Sequence, residues 1–145
     1  MELSCKSEYA LLALIALADE FQSNDPLQIR QIAAQQDIPD RYLEQLLATL
    51  RRSGLVKSQR GAKGGYLLAR EPRQITVLEV MTSIEGRDIT SPHENEVSKS
   101  AEKKVLKDVW KGSCEAMREI LQKYTLQDLC DRRDALRQSE LMYYI

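Results

Sequence analysis

A glycine-rich stretch carrying two bases, RGAKGGY at residues 60–66, is the part of the sequence best suited to binding chemistry. Such a loop can cradle nucleotide phosphates, form a tight hairpin against an anionic partner, or be an ordinary solvated turn. A nucleotide-binding loop needs GxxxxGK followed by Ser or Thr, whereas Lys63 precedes the paired glycines here and Tyr66 follows them. A GxGxxG fingerprint cannot be drawn through these glycines either. The pattern favours a hairpin whose tip presents Arg60 and Lys63 to DNA phosphates or to a minor groove.

Basic residues are concentrated around this stretch, although the whole chain of 145 residues has a net charge of only −1. Residues 51–73 contain seven lysines and arginines and a single acid, Glu71, which leaves a local charge of +6. A local basic patch of this kind attracts a polyanion, although the net charge of the whole chain does not reveal the patch. From the pattern alone, a charged turn that contacts only water stays open as the alternative.

The elements before this stretch read as three helices. Residues 7–21 are apolar nearly all round and could be capped by Ser7, which predicts a deeply buried helix. Residues 27–35 form a shorter helical pattern. Residues 40–53 follow a proline that suits an early helical position, carry leucines at helical spacing, and end at Gly54 as a helix C-terminus should.

After the third helix the apolar period changes. Residues 55–59 and 66–69 read as two short strands joined by the glycine-rich stretch, which predicts a hairpin. Two short helices separated by a tight break and followed by a two-stranded hairpin are typical of a winged helix-turn-helix. With a further short helix over 76–84 capped by Thr76, residues 1–85 are predicted to form a mainly α, winged helix-turn-helix DNA-binding domain.

The rest of the chain is predicted to be a loop, a long helix and a tail. Residues 86–100 are polar and are expected to form a flexible loop. Residues 101–124 are predicted to form a helix of roughly 35 Å. A shorter helix follows it, and the apolar end of the chain is expected to dock on the protein. The apolar stripe of the long helix exceeds what one small domain can cover, so residues 101–145 are expected to pair two copies. The residues assigned to dimerisation are Val105, Val109, Trp110, Met117, Ile120 and Leu121.

Several short segments together form a recognisable signature: residues 7–10 (SEYA), 42–46 (YLEQL), 54–56 (GLV), 60–68 (RGAKGGYLL), 77–80 (VLEV) and Trp110. The combination of YLEQ and RGxxGGY is its most specific part. By these segments the sequence resembles the Rrf2 family of bacterial transcription regulators over roughly residues 1–130. The resemblance implies a homodimeric winged helix-turn-helix regulator that binds partly palindromic operators in double-stranded DNA, with the long helix as the dimer helix.

The resemblance also implies which residues contact DNA. The third helix would enter the major groove, where Glu44 could accept a hydrogen bond from cytosine N4. Arg60 matches the hairpin arginine that enters the minor groove in the family. The alternative, that these side chains are solvated surface residues without DNA contact, stays open for Glu44, Gln45 and the arginines at the helix end. The full predicted set is Arg41, Tyr42, Glu44, Gln45, Arg51, Arg52, Arg60, Lys63 and Gly64.

One part of the family pattern is missing. Cluster-binding relatives carry three cysteines before the tryptophan of the dimer helix, and Pro92, Ser98 and Lys104 stand at those positions. The neighbouring histidine ligand position is Lys107. Since none of these residues ligates an iron–sulfur cluster, no cofactor and no metal site are expected. His93, the only histidine, is expected to be an exposed loop residue.

Other functions are weighed against this one. Cys5, Cys114 and Cys130 form no CxxC pair and are expected to be reduced thiols, with a thiol redox sensor as one alternative function. A regulator acting mainly through a protein partner, such as a metabolic enzyme, is another, motivated by the loop and the apolar tail. An enzyme is not expected, because a single histidine and no phosphate loop leave little catalytic equipment. The longest apolar run, residues 9–18, is too short to span a membrane, and no secretory signal is seen, so a cytoplasmic protein without membrane contact is expected.

Overall fold

The computed structural model of the chain describes residues 2–92, 97 and 100–144. The described residues form six α-helices, one 3-10 helix and a two-stranded sheet, which confirms the prediction of a mainly α, winged helix fold. None of these helices is both long enough and apolar enough to cross a membrane. In chain order the elements are α1 (Cys5–Asp19), α2 (Ile29–Gln36), α3 (Asp40–Arg52), β1 (Val56–Gln59), β2 (Gly65–Leu68), the 3-10 helix (Pro72–Gln74), α4 (Val77–Glu85), α5 (Ala101–Lys123) and α6 (Leu126–Tyr143).

Helix α1 is the centre of the fold. It packs against α2, α3, α4 and α6, and Ala10, Ala13 and Leu14 on it are fully buried. Its cap is Ser4, whose side chain accepts a hydrogen bond from the Ser7 amide. The prediction that Ser7 caps the helix was therefore wrong, because the helix begins at Cys5 and Ser7 lies fully buried in its first turn.

The turn between α2 and α3 is set by two residues. Asp37 adopts a left-handed conformation with φ of 54°, which ends α2. Pro39 is the N-cap of α3 and not a residue inside it, in contrast to the prediction. The leucine face predicted for α3 is buried and packs into the core beside α1, so its opposite face points away from the protein. The buried residues of α3 are Leu43, Leu46, Leu47 and Leu50.

The hairpin that follows α3 is the wing. Strands β1 and β2 are antiparallel, with Val56 opposite Leu68 and Gln59 opposite Gly65. Val56 and Leu68 are buried and join the hydrophobic core at the base of the wing. The base of the wing is thus part of the core, whereas its tip projects beyond it.

Helix α4 and the start of α6 are joined by backbone hydrogen bonds. Thr76 caps α4 as predicted, accepting from the Glu79 amide at 3.1 Å. Val77 N donates to Tyr124 O at 2.9 Å, and Leu126 N donates to Ile75 O at 2.9 Å. Since Ile75 and Leu126 are fully buried, the junction of α5 and α6 is anchored in the core.

Helix α6 packs along α1, where Arg133 makes a bidentate ion pair with Asp19 at 2.7 and 2.8 Å. It is much longer than predicted, because it continues through the apolar terminus to Tyr143. The docking predicted for the terminus is not seen for its described residues, since Leu141 is 65% and Tyr144 is 86% exposed.

The start of α1 is attached to the end of α4 by one carboxylate. Glu85 accepts hydrogen bonds from the hydroxyls of Ser4 and Ser7 and lies 3.4 Å from the Lys6 ammonium. The Ser4 hydrogen bond is the main cause that lowers the pKa of Glu85 from its ordinary value of 4.5, and Ser7 and Lys6 act in the same direction against the effect of burial. Because this pKa is lower in the folded protein, Glu85 stabilises the fold above about pH 4.5, and the stabilisation is lost as the pH falls through the folded value.

The Glu85→Gln variant should lose about 1–3 kcal/mol of unfolding free energy at neutral pH, because three contacts to a charged group become contacts to a neutral amide. It should also lose less stability than the wild type when the pH is lowered from about 6 to about 3. Urea unfolding across this range measures both effects. Glu115→Gln, at an exposed position on α5, is the control. Equal acid sensitivity in wild type and Glu85→Gln would contradict the assignment.

Candidate nucleic-acid interface

The face of α3 opposite its buried leucines carries the residues predicted to read DNA. Because those leucines fix the rotation of the helix, Arg41, Gln45 and Arg52 project away from the core, and Glu44 and Tyr42 flank them on either side. All five are exposed. The structure thus brings the predicted α3 residues together on one solvent-facing surface.

Several of these side chains are held by neighbours. Tyr42 is 46% exposed and makes an edge-to-face contact with Tyr9, with ring centroids 5.8 Å apart. Arg51 donates a hydrogen bond to the Ser58 hydroxyl on β1 at 3.1 Å, and Arg52 donates to Thr49 at 3.2 Å. Because an arginine has five N–H donors, each retains most of its donors for a phosphate.

The tip of the wing consists of exposed residues around a tight turn. Arg60 and Lys63 are exposed, as predicted. Gly64 is buried, its amide donates to Gly61 O at 3.0 Å, and a Cβ at this position would lie 2.3 Å from Gln59 O. Gly64 therefore closes the turn, and the direct DNA contact predicted for it stays a prediction.

The wing is attached to the chain before α2. Leu27 and Tyr66 exchange two backbone hydrogen bonds, N to O, of 3.0 and 2.8 Å. A Cβ on Gly65 would lie 2.4 Å from Leu27 O, so the two segments approach this closely only because residue 65 is glycine. This bridge was not predicted, because the apolar spacing of Leu27 had placed that residue in α2. The second glycine of the pair was the one signal available in the sequence, because glycine lets two backbones approach closely.

An open cleft of about 550 Å³ separates the start of α2 from the wing. Gln28, Ile29 and Arg30 line it on the α2 side together with Asp40, and residues 59–61 and 64–65 line it on the wing side. Arg30 was not predicted as a site residue. Its only signal in the sequence is a base at the start of a short helix, and its position beside the wing becomes visible only in the fold.

The surface predicted for dimerisation lies on α5. Val105, Val109, Trp110 and Ile120 are 56–64% exposed, and the neighbouring Leu106 is 70% exposed. Met117 and Leu121 are partly covered, and Leu121 packs against the core. The structure therefore places four of the six predicted residues on an open apolar face and the other two along its partly covered edge.

The segment after α4 is anchored to α5 in the part that the structure describes. Asp88 accepts hydrogen bonds from the amide and hydroxyl of Thr90 and forms an ion pair with Arg118 on α5. The Thr90 hydroxyl is the main cause that lowers the pKa of Asp88, and Thr90 itself is buried. The flexible loop predicted for residues 86–100 stays a prediction, because residues 93–96, 98 and 99 lie outside the described residues.

No group of three or more His, Cys, Asp or Glu side chains within the described ranges could hold a metal ion. Of the three family cluster positions, Pro92 precedes the undescribed part of the loop and Lys104 is exposed on α5. Ser98 and His93 lie outside the described residues. The absence of a cluster in the protein remains a prediction.

The three thiols differ in environment. Cys114 and Cys130 are buried, and Cys5 is exposed at the first position of α1. Burial raises the pKa of the Cys130 thiol, which disfavours the reactive thiolate. The redox role considered from the sequence stays untested, and the two buried thiols are poorly placed for it.

A helix-turn-helix whose second helix is exposed on its polar face, followed by a hairpin with a basic tip, defines a winged helix-turn-helix DNA-binding protein. The chain belongs to the Rrf2 family of transcriptional regulators. The family model, described as an iron-dependent transcriptional regulator, matches residues 3–132.

Individual relatives agree with this assignment and are transcriptional regulators, not enzymes. The regulator CymR of Bacillus subtilis (strain 168) is 37% identical over 145 residues, the full length of both chains. The regulator IscR of Serratia proteamaculans (strain 568) is 34% identical over 137 residues, 94% of this chain and 83% of the relative.

Solved structures show the same fold. The structure of CymR, described as the global cysteine regulator of B. subtilis, has a TM-score of 0.80 at 36% identity and covers 91% of this chain and 98% of that one. The structure of T. potens IscR has a TM-score of 0.76 at 36% identity, covering 92% and 88%.

Gly65→Ala should detach the wing from the segment before α2, because the new methyl group overlaps the Leu27 carbonyl. We expect a loss of about 1–3 kcal/mol of unfolding free energy, the usual cost of an added methyl group where there is no room. Urea unfolding measures it. Gly112→Ala is the control, since a Cβ there meets nothing within 4 Å and alanine favours the helix by about 1 kcal/mol. A Gly65→Ala protein as stable as the wild type would contradict the bridge.

Proposed function

We propose that this protein is a homodimeric, sequence-specific DNA-binding regulator that acts in the cytoplasm on partly palindromic operators without an iron–sulfur cluster. The observation that carries the proposal is the joint exposure of the polar face of α3 and the basic wing tip. Arg60 and Lys63 project at the tip, while the base of the wing is fixed to the core and to Leu27. A rigid wing beside an exposed helix suits simultaneous contact with adjacent grooves of one duplex.

The two DNA-binding elements have different roles in this proposal. The N-terminal half of α3 presents Arg41, Glu44 and Gln45 to base edges in the major groove, where Glu44 accepts from cytosine N4. Arg60 reaches the minor groove, and Lys63 contacts phosphate. Arg51 is already held against β1 and is placed to contact phosphate beside the helix end.

Dimerisation is supported by the exposed apolar face of α5. Val109 and Trp110 are 64% and 57% exposed, which is unusual for neighbouring large apolar side chains of a monomer. The opposite face of α5 is charged and exposed, as the helical spacing of Lys104, Asp108 and Lys111 shows. Two copies paired through the apolar faces would present two wings related by a two-fold axis, which matches a partly palindromic operator.

Three alanine variants separate base reading from phosphate contact. Glu44→Ala should relax base preference, because it removes an acceptor for cytosine N4. Lys63→Ala should weaken all complexes alike and lower the salt slope by about one for each bound wing. Arg60→Ala should weaken binding most at sites with a narrow minor groove.

Gel shifts on genomic fragments at several salt concentrations measure these effects. The proposed function fails if no fragment is preferred at moderate salt and Arg60→Ala binds as the wild type does.

Val109→Asp should give a monomer, because it places an unpaired charge in the proposed dimer interface. The position is 64% exposed within one chain, so the folded protomer should survive the change. Sedimentation velocity measures the mass. Lys111→Asp introduces the same side chain on the charged face of α5 and should leave the dimer intact. A monomeric wild type, or a dimeric Val109→Asp protein, would count against this interface.

A further inference from the structure

The cleft between α2 and the wing lies beside the predicted DNA-contacting residues but has no part in the function proposed above. Arg30 on its α2 side and Arg60 on its wing side both line it. Both are exposed, and neither has an ion-pair partner among the residues that the structure describes. Asp40 is the acid in the lining, so the charges of the lining side chains sum to +1.

The two walls of the cleft are joined by the backbone. The Leu27–Tyr66 bridge joins the residue just before the α2 cap to the residue just after Gly65. The two backbone hydrogen bonds of this bridge, 3.0 and 2.8 Å long, hold the wing against the start of α2. The two walls of the cleft therefore belong to one rigid unit.

The Arg30 side chain is also oriented. Its Nε donates to the Gln28 side-chain oxygen at 3.0 Å, which occupies one donor and leaves the Nη groups for a ligand. The backbone N–H of Gln28 in turn donates to the side-chain oxygen of Gln31 at 2.8 Å, which orders the first turn of α2. The positive end of the helix dipole adds to the attraction for an anion at this place.

The shape of the cleft indicates which anion it takes. It is open to solvent, so a small free anion would keep most of its water and gain little. A nucleic-acid backbone can run through an open cleft and continue at both ends, and it is already expected at the neighbouring wing tip. A guanidinium group binds a phosphodiester through two parallel hydrogen bonds.

We infer that Arg30 binds a DNA backbone phosphate in this cleft, so that α2 and the wing hold one strand between Arg30 and Arg60. This inference rests on the proposed function and adds a contact to it. Arg30 supplies affinity and register without reading bases, because phosphates carry no sequence information.

The test is a fluorescence anisotropy titration of full-length protein with two labelled duplexes. One is selected from a random library by the wild type, and the other is a scrambled duplex of the same composition. Arg30→Gln should weaken binding to both by the same factor, roughly tenfold for each bound copy at about 0.1 M salt. It should lower the slope of log K against log salt by about 0.9 for each bound copy.

Two variants serve as controls. Arg30→Lys should restore the slope, since it keeps the charge at the phosphate. Arg137→Gln removes a charge from an exposed position of α6, which does not line the cleft, and should leave the slope at its wild-type value. Thermal unfolding should be unchanged for all three variants, because these side chains lie on the surface.

Each further outcome has a distinct meaning. A wild-type slope for Arg30→Gln, in a protein whose Arg60→Ala variant binds weakly, would overturn this inference alone. So would a loss that Arg30→Lys fails to repair, since the effect would then not be one of charge. A wild type that binds neither duplex would overturn the proposed function and the inference with it, whereas one that binds both equally would overturn only the proposed sequence specificity.

Discussion

The predicted DNA-binding surface depends on the close approach of Gly65 to Leu27. Two backbone hydrogen bonds hold the wing against the start of α2, and the absence of a side chain on Gly65 permits this close approach. A two-stranded hairpin alone is at best marginally stable in water. Here its base is buried in the core through Val56 and Leu68, and its edge is paired by the bridge. The wing and the helix-turn-helix therefore act as one body.

The C-terminal helices are organised in the opposite way. They are anchored in the core where Ile75 and Leu126 are buried and α4 meets the junction of α5 and α6, and α6 also packs along α1. Beyond these contacts, α5 keeps an apolar face in solvent, and the end of α6 exposes its own large apolar side chains. A single protomer thus has a closed helix-turn-helix and wing, whereas its C-terminal helices leave apolar side chains exposed. This division explains why the proposed second copy is needed for the C-terminal part and not for the fold of the wing.

Much of this could be predicted from the sequence, because local signals mark it. The end of α3 is marked by Gly54, the start of α4 by Thr76 and the wing turn by its glycines. The start of α1 was misplaced, since Ser4 and Ser7 are equally good caps and only the burial of Ser7 separates them. The length of α6 was missed because its apolar residues follow no single face. At the site, the exposed side chains of α3 and of the wing tip were predicted, whereas Arg30 was not, because its neighbours are distant in sequence.

The packing of Gly64 and Gly65 also limits how such a surface can evolve. Every amino-acid replacement at either position adds a side chain where a backbone oxygen lies within 2.4 Å. The exposed bases of the same turn meet no such obstacle, since Arg60 and Lys63 project into solvent. Mutation can therefore vary the chemistry of the tip while the frame that carries it stays the same. A hairpin built in this way permits changes in the charge and size of its tip residues without a simultaneous loss of stability.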